Sequence, residues 1–262
     1  MLDRVRNYLV WRLVLRNPPL HRALNRFRGP DREEAVTIFG TRLWIHRRKE
    51  FGYYRAARLA ARSVVLQREG ASLITLAMIM CAEDTFVDIG ANVGLYAAQF
   101  ARLQSIYPGL KVYAFEANPD TAERLRRSLA GTGATVHATP LSDRSETLHF
   151  VGGAASLVFG VEGHRNSFQI PTRVMSLEAH RLDSFPIEGD SLVLKIDVEG
   201  HESEVLRGAS GFFDAHRVKA VYLDGFEDPA IPGWLKDLGY ELFHGRDLVR
   251  DATPGSLIAL RR

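Results

Sequence analysis

The sequence contains only one cysteine, Cys81, among its 262 residues. A single cysteine excludes an intramolecular disulfide and any metal site built from several thiolates. Cys81 follows an apolar segment, so we expect its thiol to be buried and unreactive. A secretory leader is not recognisable either, because arginines interrupt the apolar residues among the first 20. These two absences favour a reducing, cytoplasmic location.

The chain also lacks an apolar run long enough to cross a membrane. Its longest run, residues 73–82, has roughly 10 residues, about half of what a membrane-spanning helix needs. Two acidic residues, Glu83 and Asp84, follow it directly. The hydrophobic content of 46% and the charged content of 25% are ordinary for a folded globular protein. We therefore expect this run to form a helix buried in the core.

Positive charge is concentrated in the first part of the chain. Residues 1–70 hold 16 Lys or Arg and 6 Asp or Glu, whereas the whole chain has a net charge of only +3. A basic amino-terminal helix of this kind suits an anionic membrane surface, nucleic acid or an acidic substrate. The alternative is a solvated helix surface. Peripheral contact of this helix with an anionic membrane is therefore one possibility, and we expect no nucleic-acid partner.

Two kinds of pattern divide the chain near residue 70. The first part has prolines and glycines that break it early, then a short hairpin over 36–45 and a helix over 53–66. From Thr85 onward, short apolar strands alternate with helices, which is typical of a mostly parallel sheet covered on both faces. We predict an α/β, doubly wound domain over residues 71–262, preceded by a helical and hairpin extension over residues 1–70. Its main strands are predicted at 85–89, 111–115, 135–138, 192–196, 218–223 and 240–243.

A glycine-containing turn follows the first of these strands, in the segment Asp88-Ile89-Gly90-Ala91-Asn92-Val93-Gly94. Gly90 allows a sharp turn with positive φ, and Gly94 allows the next helix to pack closely or to approach a ligand. Asp88 can accept hydrogen bonds from a ligand or from the amides of the turn itself. Because ligands of doubly wound sheets bind beyond the carboxyl ends of the strands, this turn is a candidate ligand site.

Glu116 ends the next predicted strand, 22 residues after Gly94. An acid in this place is suited to bind both hydroxyls of a ribose. The dinucleotide fingerprint G-x-G-x-x-G is absent, since the spacing is G-x-x-x-G, and Asp88 would repel a pyrophosphate. An adenosine that carries a cationic group and no phosphate fits these residues, which points to S-adenosylmethionine.

Several segments together resemble the FkbM family of methyltransferases. They are residues 88–94, 115–119 and 141–143, and the stretch Leu194-Lys195-Ile196-Asp197-Val198-Glu199-Gly200-His201-Glu202 with its continuation to Ala209. The resemblance covers roughly residues 85–225. It implies a class I, Rossmann-like methyltransferase fold that uses S-adenosylmethionine, usually to methylate oxygen atoms of sugars, polyketides or related products. Two positions depart from the family pattern, since Ala117 stands where Pro is frequent and Asp224 where Glu is frequent.

The resemblance also implies a set of cofactor-binding residues: Asp88, Gly90, Asn92, Gly94, Glu116, Asn118, Ser142 and Asp143. Those in the glycine turn would line the methionine part of the cofactor, and Glu116 would hold its ribose. The last three would lie near the adenine. Asp197, after the strand at 192–196, would face the methyl group and the acceptor.

An alcohol acceptor must lose a proton during methyl transfer, so a base beside the methyl group is expected. The candidates are Asp197, Glu199 and His201. A carboxylate that ends a buried strand needs a reason for its position, which favours Asp197. Histidine as a residue type has a reference pKa suited to base chemistry near neutrality, and the alternative role of His201 is local hydrogen bonding at the start of a helix. We predict Asp197 and His201 as the catalytic residues.

Other chemistries fit the sequence less well. The same three side chains suit a divalent ion such as magnesium, but nothing in the sequence requires one, and we predict no metal site. A G-x-S-x-G motif is absent, so acyl transfer has no visible nucleophile. We therefore predict an S-adenosylmethionine-dependent methyltransferase that acts on a hydroxyl of a saccharide or secondary metabolite, with an acceptor pocket built from residues 152–169 and the extension. N-methylation of a small amine and a non-catalytic scaffold at a membrane surface are the alternatives.

Overall fold

The structure, a computed structural model, describes residues 30–152, 159–161, 173–251 and 255–261. The predicted basic helix before residue 30 and most of the predicted acceptor loop at 152–169 lie outside these residues. Within the described ranges, no helix combines the length and the apolar character that a membrane crossing requires.

Twelve strands and seven α-helices are assigned in the described residues. The strands are β1 (Glu33–Ile38), β2 (Thr41–His46), β3 (Thr85–Ile89), β4 (Lys111–Phe115), β5 (Thr135–His137), β6 (Glu146–Gly152), β7 (Phe159–Val161), β8 (Arg173–Ala179), β9 (Leu192–Ile196), β10 (Val218–Leu223), β11 (Tyr240–His244) and β12 (Leu257–Arg261). The helices are α1 (Phe51–Leu59), α2 (Val64–Ile79), α3 (Leu95–Leu103), α4 (Pro119–Ser128), α5 (Glu202–Gly208), α6 (Ser210–Asp214) and α7 (Ile231–Asp237).

A seven-stranded sheet in the order β11-β12-β10-β9-β3-β4-β5 forms the centre of the fold. Strands β10, β9, β3, β4 and β5 are parallel, whereas β12 lies antiparallel between β10 and β11. Alternate residues of β9 enter different cores: Leu194 and Ile196 pack with α5 and α6, and Val193 packs with α2 and α3. This alternation covers both faces of the sheet. The predicted doubly wound α/β architecture is confirmed.

The hairpin β1–β2 and helix α2 belong to the same buried cluster as the central sheet. Ile38, Leu43 and Leu66 pack in one cluster with Phe86 of β3 and Phe100 of α3. The predicted domain boundary near residue 70 falls within α2. The described part of the amino-terminal extension therefore shares its core with the sheet instead of burying a core of its own.

The single helix predicted over 53–66 is two helices. Ala60 has a positive φ of 46°, which ends α1, and a short 3₁₀ turn over Ala60–Arg62 follows. Ser63 then caps α2, because its side chain accepts a hydrogen bond from the amide of Leu66 at 3.3 Å. The helical periodicity predicted the structure of both segments but not the break between them.

The apolar run at 73–82 and Cys81 are less buried than expected. Leu73 and Leu76 are buried in the core, but Ile74 and Met78 are 65% and 70% exposed, so only one face of this part of α2 is covered. Because α2 ends at Ile79, Cys81 lies beyond it on the surface, with its Sγ 3.1 Å from the ammonium of Lys219. The expectation of a buried thiol was wrong.

The turn after β3 brings the ends of two neighbouring strands close together. Gly90 has a φ of +74°, and a Cβ atom added there would lie 1.9 Å from the carbonyl oxygen of Asp197, which follows β9. Both the backbone conformation and the lack of space therefore exclude a side chain at position 90. Gly94, with a φ of +91°, starts α3, and a Cβ atom there would lie 2.6 Å from Leu125 of α4.

Replacing Gly90→Ala should lower the free energy of unfolding by at least about 2 kcal/mol more than Gly131→Ala. Gly131 is a matched control, because it also has a positive φ, of +81°, but nothing lies within 4 Å of an added Cβ. Its substitution should cost only about 1–2 kcal/mol for the left-handed conformation. Urea unfolding of both variants measures the difference. Equal losses would show that the strand ends are not held in contact.

Candidate functional site

A cavity opens at the carboxyl ends of β3, β4 and β9. It encloses about 960 Å³ of empty space, part of which is open to solvent. Six of the residues that the sequence predicted line it: Gly90, Asn92, Glu116, Asn118, Asp197 and His201. The others in its wall are Lys49, Glu50, Ile89, Phe115, Ala117, Thr121, Thr139, Pro140, Leu141, Phe150, Val198 and Glu199.

Glu116 is held at the end of β4 by two backbone amides. Its Oε2 accepts a hydrogen bond from the amide of Asn92, and its Oε1 accepts one from the amide of Asn118, both at 2.9 Å. Burial raises the pKa of Glu116 to about 7, although these two hydrogen bonds oppose the shift. The carboxyl group is thus fixed in orientation at the cavity and costly to ionise without a further donor.

Asn118 caps the helix that follows Glu116. Its side-chain oxygen accepts a hydrogen bond from the amide of Asp120 at 3.0 Å, and Pro119 occupies the first helical position. The local sequence Asn-Pro-Asp therefore begins α4 directly at the cavity wall.

Asp88 lies beneath the glycine turn and not in the cavity wall. Its carboxyl group is fully buried, accepts a hydrogen bond from the amide of Ala97 at 3.0 Å and lies 3.2 Å from Lys195 Nζ. Of the two roles that the sequence left open, the structure shows Asp88 bonded to the protein itself.

Lys195 was not singled out in the sequence, although it lies at the centre of the site. Its ammonium is buried between Asp88 and Asp197, at 3.2 and 3.6 Å, and donates a hydrogen bond to the carbonyl of Gly90 at 3.3 Å. Burial alone would lower the pKa of Lys195, but the charges of the two aspartates raise it above its ordinary value. A lysine inside an otherwise apolar strand is the signal from which this ion pair could have been predicted.

Asp197 stands at the end of β9 with its side chain 42% exposed. Desolvation by the surrounding protein raises its pKa; attraction by Lys195 opposes the rise, and the charges of Asp224 and Asp88 add to it. Asp197 is thus a carboxyl group at the cavity, with one oxygen facing a buried cation and a raised proton affinity.

His201 also lines the cavity and is buried to 7% exposure. Its Nε2 lies 3.2 Å from Ser142 Oγ, and the hydroxyl of Ser142 donates to Glu146 at 2.6 Å. The other ring nitrogen, Nδ1, lies 3.5 Å from Glu204 Oε2.

Ser142 and Asp143 stand behind the cavity wall. Ser142 is fully buried, and Asp143 lies 3.5 Å from the guanidinium of Arg207. The preceding segment, Thr139 to Leu141, lines the cavity in their place. In the parts of the chain that the structure describes, no group of three or more His, Cys, Asp and Glu side chains is arranged to hold a metal ion.

The match to a known protein family covers the same part of the chain. The sequence model described as "Methyltransferase FkbM domain" matches residues 88–242, more than half of the chain. The chain belongs to the FkbM methyltransferase family. Its fold is the class I, Rossmann-like methyltransferase fold, and its cofactor is S-adenosylmethionine.

One relative of this FkbM chain is the hexuronic acid methyltransferase AglP of Haloferax volcanii. The two are 27% identical over 164 residues, which cover 56% of this chain and 59% of the relative. The chain therefore spans less than two thirds of the length of that relative.

Two solved structures with similar folds are also methyltransferases. The TehB-like methyltransferase of Corynebacterium glutamicum is 12% identical with a TM-score of 0.42, and covers 82% of this chain and 98% of its own. The ribosomal protein L11 methylase of Lactobacillus delbrueckii subsp. bulgaricus is 13% identical with a TM-score of 0.41, and covers 75% and 80%.

Replacing Lys195→Met should lower the free energy of unfolding by about 3–5 kcal/mol, because it leaves the buried carboxylate of Asp88 without its cation. Adding Asp88→Asn should restore part of that loss. Lys236→Met is the control, since Lys236 is 53% exposed and its pair with Asp251 should contribute no more than about 1 kcal/mol. Denaturant unfolding measures all three variants, and a loss at Lys195 no larger than at Lys236 would contradict the central role of this ion pair.

Proposed function

We propose that this FkbM protein transfers the methyl group of S-adenosylmethionine to a hydroxyl group of a saccharide. The observation that carries the proposal is Asp197, a carboxyl group with a raised pKa that is exposed in the wall of the cofactor cavity. The relative from Haloferax volcanii, named a hexuronic acid methyltransferase, supports a saccharide as the acceptor.

The cavity residues fit the parts of the cofactor. Glu116 lines the cavity, and its carboxyl group needs a further donor to ionise, so we assign it the two ribose hydroxyls. Gly90 and Asn92 take the amino-acid part, and Asn118 takes the adenine edge together with residues 139–141. Asp88 and Gly94 act by shaping the turn, and Ser142 and Asp143 act from behind the adenine wall.

Bound S-adenosylmethionine supplies a methyl carbon whose bond to sulfur breaks as its bond to the acceptor oxygen forms, which leaves S-adenosylhomocysteine. Asp197 takes the proton of the acceptor hydroxyl, and its raised pKa makes it a stronger base than an ordinary aspartate. Lys195 holds Oδ2 of Asp197 in place at 3.6 Å. His201, whose ring Ser142 orients, is the second candidate base.

Replacing Asp197→Asn should lower kcat for methyl transfer by about 10²–10⁴-fold, because the amide cannot accept the proton. The affinity for S-adenosylhomocysteine should change little, since the loss falls on the chemical step. Transfer of labelled methyl from S-adenosylmethionine to a panel of methyl glycosides measures the rate, and calorimetry measures the affinity.

Asp190→Asn is the matched control, because Asp190 is exposed, precedes β9 and does not line the cavity. Methyl transfer to amines and to no glycoside hydroxyl would contradict the proposed function. Full activity in the Asp197 variant would contradict the role of this residue alone.

The pKa of Glu116 predicts a pH dependence of binding. Ribose hydroxyls donate to the ionised carboxylate, so affinity should rise as pH rises through the pKa of about 7. Between pH 6 and 8 the affinity for 5′-methylthioadenosine should increase about tenfold in the parent protein. This ligand has neither the amine nor the carboxylate of the cofactor, so its own charge stays constant.

Glu116→Gln should remove this slope, whereas Glu123→Gln, a substitution at a side chain that is 64% exposed on α4, should keep it. Calorimetric titration at several pH values tests both variants. A slope that persists in the Glu116 variant would assign the titration to another group.

A further inference from the structure

Part of the cofactor cavity comes from residues that precede the family match. The match begins at residue 88, yet Lys49 and Glu50 lie in the cavity wall together with Asn118 and Thr121 of the family domain. Lys49 and Glu50 form the corner between the hairpin and α1, which we call the amino-terminal corner.

A buried ion pair fastens the amino-terminal corner to α4. Oε1 of Glu50 lies 2.7 Å from the guanidinium of Arg124, and the two side chains are only 6% and 2% exposed. The other oxygen of Glu50 accepts a hydrogen bond from the amide of His46 at 2.5 Å. Both carboxylate oxygens of Glu50 are therefore engaged in holding the corner.

Further contacts tie the hairpin to the same helix. Arg124 also lies 3.2 Å from Glu33 of β1, and the amide of Trp44 in β2 donates to Ser128 Oγ at 2.8 Å. The guanidinium of Arg127 stacks on the Trp44 ring at 3.7 Å. Since Asn118, close to Glu116 in the chain, caps α4, these contacts fix the position of the corner relative to the proposed ribose-binding end of the cavity.

A buried ion pair is an expensive way to join two elements, because both charges lose their hydration. An apolar contact of similar volume would join them at least as tightly. What the pair adds is a defined position, since Arg124 meets its partners in a fixed geometry. The pair of Arg124 and Glu50 thus fixes where the corner lies relative to α4.

We propose that the amino-terminal corner is part of the cofactor site, with Lys49 as a binding residue for the adenosine part and Arg124 as a positioning residue that acts through Glu50. The proposal rests on the cofactor of the proposed function and not on its acceptor. The side chain of Lys49 is 43% exposed, and its ammonium lies 3.5 Å from Asp120. From the cavity wall it can donate to the hydroxyl oxygens of a ribose or to a ring nitrogen of adenine.

The first test compares two lysines. Lys49→Met should weaken S-adenosylhomocysteine about fivefold, the loss of one hydrogen bond, with the unfolding midpoint unchanged. Lys111→Met is the matched control, since Lys111 is also 43% exposed and also paired with a carboxylate, Glu188, but lies outside the cavity. Titration calorimetry measures both, and equal affinities in the two variants would overturn the binding role of Lys49.

The second test separates positioning from folding. Arg124→Met alone should lower the unfolding midpoint, because it leaves Glu50 buried without its cation, and Arg124→Met with Glu50→Gln should recover most of that loss. Affinity for S-adenosylhomocysteine should stay about fivefold weaker in the double variant, because the corner is no longer fixed. Affinity that recovers together with the midpoint would assign Arg124 a purely structural role.

The outcomes separate this proposal from the proposed function. If the parent protein binds S-adenosylhomocysteine but methylates no glycoside, the proposed acceptor is wrong. The role of the corner in cofactor binding is then still decided by the variants above. Parent protein that does not bind S-adenosylhomocysteine at all would overturn both.

Discussion

The ion pair of Lys195 with Asp88 and Asp197 is the constraint on which the site depends. Asp88 and Lys195 lie opposite each other on the paired strands β3 and β9, and Asp197 follows two residues after the lysine. The ammonium thereby offsets the charge of the buried Asp88 beneath the glycine turn, where burial of either charge alone would be costly. The same lysine also donates to the carbonyl of Gly90 and so links the turn to the strand that ends in Asp197.

The glycine turn and the ion pair explain why the cavity lies where it does. A side chain at position 90 would collide with the carbonyl of Asp197. Because Gly90 has none, the ends of β3 and β9 can stay in contact. The amides of Asn92 and Asn118 then meet the carboxyl group of Glu116 from the neighbouring strand. Backbone groups thus orient the group proposed to bind ribose, and the fold itself preorganises the site.

Several features could be read from the sequence because they depend on local patterns. Strands alternating with helices predicted the sheet, and the spacing from the glycine turn to Glu116 predicted that both would reach the same edge. Asp88 illustrates the limit of this reasoning, since the sequence allowed it a ligand or the turn and only the structure shows Ala97 and Lys195 as its partners. Lys49 and Glu50 were missed because no spacing rule connects them to residues beyond 88.

The sequence by itself indicated the parallel strands of the central sheet, the glycine turn and the acid that follows it, because periodicity and turn chemistry act over short stretches of chain. Tertiary structure alone decided which charges pair, which predicted residues reach the cavity and which stay behind its wall. It also decided that the amino-terminal corner lines the cavity and is held to α4 by Arg124, 74 residues from Glu50. Contacts over such separations depend on how whole elements pack, and packing leaves no periodic pattern in the sequence.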